Sequence, residues 1–258
     1  MKRIFALLLT FLAIISPTSL LGCTSHIELL EYELNEEGTE YCLSKYNYLA
    51  DEATNEVAIP STYNDLPVTK IGAGAFRSCS EITKVTIPDS ITHIESGAFR
   101  WCYNLVEIEI PTSITFIGEG AFEDCSKLES TLSFASNCCI KSSAFSGCKA
   151  LTTIEFGTTD EVGGKIGAYA FYECDGLKNV VISKGCEVIE DRAFSDCGML
   201  KTLTLTNQLI DIGSSAFENC LNLETINFIG TETEWKLLHK QPWWDLRTGS
   251  YTINYINE

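Results

Sequence analysis

Between residues 105 and 125 the apolar positions follow two rules in turn. Leu105, Ile108 and Ile110 alternate with Glu107 and Glu109. That period of two predicts a strand with one buried and one wet face. Pro111 ends it, because proline has no N–H for a sheet ladder. Ile114 and Ile117 then predict a second short extended piece. The segment Ala121-Phe122-x-x-Cys125 is too short for an independent helix and predicts one helical turn or a tight bend.

The same order recurs along the chain. Ala-Phe pairs end at Phe76, Phe99, Phe122, Phe145, Phe171, Phe194 and Phe217, in steps of 23, 23, 23, 26, 23 and 23 residues. Three residues after each Phe stands Cys79, Cys102, Cys125, Cys148, Cys174, Cys197 or Cys220. Five before each stands an isoleucine, from Ile71 to Ile212, and six after each an Ile or Leu, from Ile82 to Leu223. One copy cannot bury a core alone, but stacked copies cover one another's apolar edges, so the pattern predicts a solenoid. At about 4.8 Å per rung, seven to eight rungs would span on the order of 35–40 Å. The expected class is an α/β-type repeat solenoid, mostly β, with a cap at each end.

Two copies depart from the pattern. In "LESTLSFASNCCIKSSAF" the apolar pair has slipped one place, to Leu132 and Phe134, leaving Thr131 and Ser133 where apolar residues are expected. A one-residue slip would turn the strand inside out. A bulge before Leu132 restores the facing. The next copy carries three extra residues within "FGTTDEVGGKIG", an insertion expected on one edge of the stack.

The motif "IPxSITxIGxxAFxxCxxLxxIxIP" resembles the leucine-rich repeat of BspA-like bacterial surface proteins. The resemblance covers roughly Val57 to Ile229. It divides the chain into a leader (1–22), a tether and N-terminal cap (23–56), a leucine-rich repeat solenoid (57–230) and a C-terminal cap (231–258). In the first cap, Tyr32 and Leu34, the turn Glu36-Glu37-Gly38, and Tyr41 and Leu43 predict a hairpin. In the last, Thr231 and Glu234 have capping-box spacing for a short helix. "QPWWDL" predicts a turn whose Trp243 and Trp244 cover a core edge, and Tyr251, Ile253 and Tyr255 alternate as a final strand.

The chain begins "MKRIFALLLTFLAIISPTSLLGC". Lys2 and Arg3 precede the 12-residue apolar run Ile4 to Ile15, the composition of a secretory leader and short for a membrane span. Leu20-Leu21-Gly22-Cys23 resembles a bacterial lipobox. That resemblance implies diacylglycerol on the Cys23 sulfur and residence in the bacterial cell envelope, at the cell surface. Two acyl chains hold a protein stably where one does so only marginally.

An exported chain with twelve cysteines invites a disulfide reading. The repeat opposes it. Equivalent side chains on successive rungs point the same way, about one strand spacing apart, whereas a disulfide wants Cβ atoms near 3.8 Å and converging. The seven repeat cysteines are therefore expected as small buried hydrophobes with a weak S–H donor. Cys138 and Cys139, adjacent in the irregular copy, are expected to pack there.

The formal net charge is −17, which disfavours nucleic acid and anionic lipid surfaces as partners. There are three histidines, His26, His93 and His239, and none has metal-ligand spacing. No nucleophile elbow or phosphate loop occurs, so no enzyme activity, cofactor or metal is expected. The wet positions of the main strands are expected to form a continuous interaction surface: Lys84, Glu107, Glu109, Thr153, Glu155, Asn179, Thr202, Thr204, Thr225 and Asn227. One end of it is acidic and the other rich in Thr and Asn. The BspA resemblance implies extracellular or cell-surface protein partners, host matrix proteins or other bacteria. Exposed aromatics such as Trp101, Tyr103, Tyr169 and Tyr172 leave a surface glycan binder as the second reading, and an envelope protein without a soluble ligand as the third.

Overall fold

The computed structural model describes residues 29–47, 54–157 and 163–256. The leader, Cys23, His26 and part of the Gly-rich insertion lie outside the described residues.

Each rung of the solenoid has three sides. On the first, short parallel strands form one long sheet through Tyr41–Tyr46, Leu66–Ile71, His93–Ile94, Phe116–Ile117, Cys139–Ile140, Gly164–Ile166, Cys186–Ile189, Asp211–Ile212 and His239–Lys240. The register stacks Leu43, Ile71, Ile94, Ile117, Ile140, Ile166, Ile189, Ile212 and Lys240 in one column. There are thus nine rungs, two of them outside the strict motif. Leu43 takes the isoleucine place in the first, and Lys240 takes it in the last.

The second side carries the Ala-Phe-x-x-Cys segments, and they are bends. In the Phe99 copy, Ala98, Arg100 and Cys102 donate their N–H groups to carbonyls three residues back, while Gly97, Phe99 and Trp101 donate to Glu119, Ala121 and Glu123 of the next rung. Left-handed backbone two residues before and two after the Phe makes this alternation possible, φ +63° at Gly97 and +66° at Trp101. Every buried N–H of the segment is therefore paired without a helix. Inside, the Phe rings stack at 4.8 to 5.2 Å between centroids from Phe76 to Phe217, almost parallel. Tyr46 extends the stack at one end, and Trp244 closes it edge-on at the other.

The cysteine column has a specific use. The Sγ–H groups of Cys102, Cys125, Cys148, Cys174, Cys197 and Cys220 each donate to the carbonyl of the Phe in the preceding rung, at 3.0 to 3.3 Å. The carbonyls of Phe76, Phe99, Phe122 and Phe145 also accept the backbone N–H three residues on in their own turns, which fills their two lone pairs. A thiol suits the place because it packs like a hydrophobe and still donates. The column thiols are free, and so are Cys42, Cys138, Cys139 and Cys186. Cys138 is buried, and Cys139 lies half-buried in its strand with its thiol 3.7 Å from the Gly163 carbonyl.

The third side holds the main strands, and here the expected continuity fails. Glu56–Ala58, Lys84–Thr86 and Glu107–Ile108 form a three-stranded sheet, while Thr131–Phe134, Thr153–Phe156, Asn179–Ile182, Thr202–Thr206, Thr225–Ile229 and Thr252–Ile256 form a separate six-stranded one. Between them sits the slipped copy. Leu132 and Phe134 are buried and Thr131 exposed, so the slipped copy keeps its apolar pair facing inward. The backbone ladder is broken at that point, and Ile108 N–H turns to the Ser130 hydroxyl at 3.3 Å.

Both ends are covered. Leu30–Leu34 pairs antiparallel with Tyr41–Tyr46, forming the expected hairpin. Residues 62–71 add a second hairpin that brings Tyr63 onto Tyr32 at 4.2 Å and Tyr41 at 5.0 Å. At the far end the helix Glu232–Leu237 carries the expected capping box between Thr231 and Glu234. Its Trp235 is buried against Phe228 and Trp244. Lys240, at the end of the isoleucine column, gives its ammonium to the carbonyls of Trp235 and Leu238. Residues 243–247 repeat the bend of the ordinary rungs. Trp243 and Arg247 are left-handed, and Phe217 and Asn219 donate to Trp244 and Leu246.

Candidate interaction surfaces

The ten residues expected to form the interaction surface all stand on the outer face of the main strands. They divide between the two sheets. Lys84 and Glu107 are opposed in the three-stranded sheet, with Glu109 two residues beyond. The Lys84 ammonium meets the Glu107 carboxylate at 2.5 Å, and this hydrogen bond raises the lysine pKa. That charged pair is thus internally balanced, and Glu109 and Glu56 remain as open carboxylates beside it.

The other seven lie on the six-stranded sheet in two rows. Thr153, Asn179, Thr202 and Thr225 stand in register one rung apart, as do Glu155, Val181, Thr204 and Asn227. The structure adds members to both rows. Thr131 and Ser133 precede them, and Thr252 and Asn254 follow. Asn254 donates to Asn227 at 3.1 Å. The slipped copy carried the signal for Thr131 and Ser133, since moving the apolar pair inward at Leu132 and Phe134 turns these two outward. The result is a wide array of hydroxyls and amides on a regular spacing. It offers hydrogen bonds and little charge.

The aromatic candidates are elsewhere. Trp101, Tyr169 and Tyr172 lie on the bend side, where Tyr169 and Tyr172 meet edge-on at 5.6 Å. Trp244 is half-buried over the last Phe, as expected of a cap, but Trp243 is 68% exposed and covers nothing. Its left-handed backbone turns it away from the stack.

The histidines take structural places. His93 faces solvent in part, beside the Phe116 ring at 5.5 Å and with Nδ1 2.8 Å from the Thr92 hydroxyl. His239 pairs with Asp211 across one rung. Among the described residues no group of three or more His, Cys, Asp or Glu side chains is placed to hold a metal ion. Among them too, no helix is long and apolar enough to cross a membrane.

The geometry therefore defines a class, a β-solenoid of nine bent rungs offering outer strand faces. The sequence profile of the BspA type leucine rich repeat region matches six copies over residues 44–164 and 164–236. The chain belongs to that family. It is a protein-interaction repeat on a scaffold fold. Among solved structures it is similar to a leucine rich repeat protein of T. pallidum, at 23% identity and a TM-score of 0.65, over 86% of this chain and 98% of that one. A leucine-rich repeat protein from Bacteroides ovatus is similar at 22% identity and a TM-score of 0.56, over 89% and 77%. At these identities the likeness concerns the fold. No curated protein matches the sequence significantly.

Proposed function

We propose that this is a lipid-anchored protein of the bacterial cell surface that binds other proteins through the outer faces of its main strands. The observation that carries the reading is the pair of in-register polar rows on the six-stranded sheet. A solenoid fixes such rows on a rigid backbone, so little side-chain and loop entropy is lost on binding. The acidic end favours basic segments of a partner and steers their approach. Cys23, at the end of the lipobox-like "LLGC", would carry the acyl chains and hold the solenoid close to the bilayer. Host matrix proteins and other cells are the partners proposed. The chain then has no catalytic role of its own. On this reading residues 1–22 are the cleaved leader, 23–56 the tether and first cap, 57–230 the solenoid and 231–258 the last cap.

The test is a screen of residues 24–258 against matrix proteins, host cells and a glycan array. Binding to a protein supports the reading, and binding to glycans alone would replace it with a glycan-capture role. Anchoring has its own test. Cys23→Ser should move the protein from the membrane fraction to the soluble one, and continued membrane retention would remove the lipid anchor from the account.

A further inference from the structure

The bend side holds a feature that the strand faces do not explain. The guanidinium carbons of Arg77 and Arg100 lie 4.5 and 4.7 Å from the centroid of the same indole, Trp101. These are two of five arginines in a chain of net charge −17. Arg77 is exposed and makes no ion pair among the described residues. Arg100 gives Nη2 to Glu123 at 2.6 Å. Two like charges on one ring repel each other, and the indole holds them together through cation–π attraction.

The side chain at this place is unlike those of the other rungs. Trp101 is left-handed at φ +66°. The equivalent place in the other rungs holds Ser78, Asp124, Gly147, Glu173, Asp196 or Asn219. Those are small or polar residues, several of which tolerate this conformation, whereas a bulky aromatic rarely adopts it. The left-handed backbone is common to this place in every rung, with φ from +55° to +74°, so what sets this rung apart is the indole and the two arginines on it.

We propose that Arg77, Trp101 and Arg100 form a binding site for the carboxylate of an acidic sugar at the end of a glycan. Guanidinium forks match a carboxylate in geometry and charge. The count of charges selects the ligand. Two arginines less Glu123 leave one net positive charge, which suits a single carboxylate, and the acidic remainder of the surface repels a polyanion. Tyr103, two residues on and 48% exposed, offers an aromatic face to the sugar ring that carries the anion. The site lies on the bend side and stands or falls independently of the strand-face reading.

The test uses the full chain in mild detergent, titrated by calorimetry and ligand-observed NMR. The probes are the methyl glycosides of glucuronic acid and N-acetylneuraminic acid, each beside its neutral methyl ester. The acids should bind at least tenfold tighter than their esters, and more weakly as salt rises. Arg77→Gln should weaken binding at least tenfold, while Arg192→Gln, which removes a similar cation over Tyr169, should not. Trp101→Asn should abolish binding and leave the melting temperature level or higher, since Asn219 already takes the same left-handed backbone at the equivalent place. Equal binding of acid and ester, no binding by either acid, or wild-type affinity in Arg77→Gln would overturn the proposal. So would capture of an acidic peptide in place of the sugars, or a marked fall in melting temperature for Trp101→Asn with binding intact.

Discussion

The three-stranded and six-stranded sheets are built from the same rung and differ in strand length. In the first, Lys84–Thr86 and Glu107–Ile108 span two or three residues. In the second, Thr153–Phe156 through Thr225–Ile229 span four or five. The cause is written beside them. Pro60, Pro88 and Pro111 follow the second apolar residue of the early rungs, where the later rungs carry Ala135, Gly157, Ser183, Thr206 and Ile229. Without an N–H the ladder stops at proline, and with one it runs on. The early face is consequently narrow and charged, and the later one wide and rich in hydroxyls and amides. The bend side makes no such distinction. Its Phe stack and most of its thiol bonds cross the ladder break unaltered, so that column unites the halves that the strand side separates.

Alkali should strike both halves together and with the largest effect. Burial pushes the Cys79 thiol up to about 12 under the narrow sheet and Cys220 up to about 12 under the wide one. Cys125, Cys148 and Cys197 are also raised well above the ordinary value by burial. The native state thus keeps its thiol protons while the unfolded chain loses them. The stabilisation is complete below about pH 9 and is lost as pH climbs from there through 12, at up to about 1.4 kcal/mol per pH unit for each thiol. Urea midpoints under reducing conditions should hold steady to pH 8 and fall steeply above 9. A flat profile to pH 11 would mean the thiols are not buried.

Next in size are the rings. Phe99→Ala under the narrow sheet and Phe194→Ala under the wide one should each cost about 3–5 kcal/mol. Both should unfold in a single transition by circular dichroism and fluorescence. Two separated transitions would show that the sheets are independent units. Smaller again, Cys125→Ala removes the donor to the Phe99 carbonyl and should cost about 1–2 kcal/mol, because that carbonyl keeps its backbone donor. Least of all, Ser130→Ala takes the hydroxyl from Ile108 N–H at the ladder break and should cost about 1 kcal/mol. A cost as large as the ring substitutions would mean that the break is a keystone of the fold.

Much of this was legible in the spacing alone. Residues that recur every 23 positions must stack, so the Phe, Ile and Cys columns, their burial and the solenoid follow from arithmetic. The slip at Leu132 told which side of the strand faces inward. It did not tell that the ladder would part there, because facing depends on side-chain period while continuity depends on where each N–H finds a carbonyl. The end rungs were hidden for a related reason. Tyr46, Lys240 and Trp244 occupy repeat positions with residues that no repeat motif would admit, since an end must meet water or a cap on one side. The thiol acceptors were out of reach too, for a sequence names a donor and leaves its partner 26 residues back unstated. The indole between two arginines joins side chains from adjacent rungs, and only the stacked backbone brings them together.

The claim at the centre of the account is that partners are held on the strand faces. The most direct measurement is the affinity of residues 24–258 for immobilised matrix proteins, compared with variants of each side. One variant carries Glu107→Lys and Glu109→Lys on the narrow sheet, another Thr202→Lys and Thr204→Lys on the wide one, and a third Glu218→Lys on the bend side. The account predicts that at least one strand-face variant loses tenfold or more in affinity while the bend-side variant binds like wild type. Undiminished binding by both strand-face variants, or loss confined to Glu218→Lys, would contradict it.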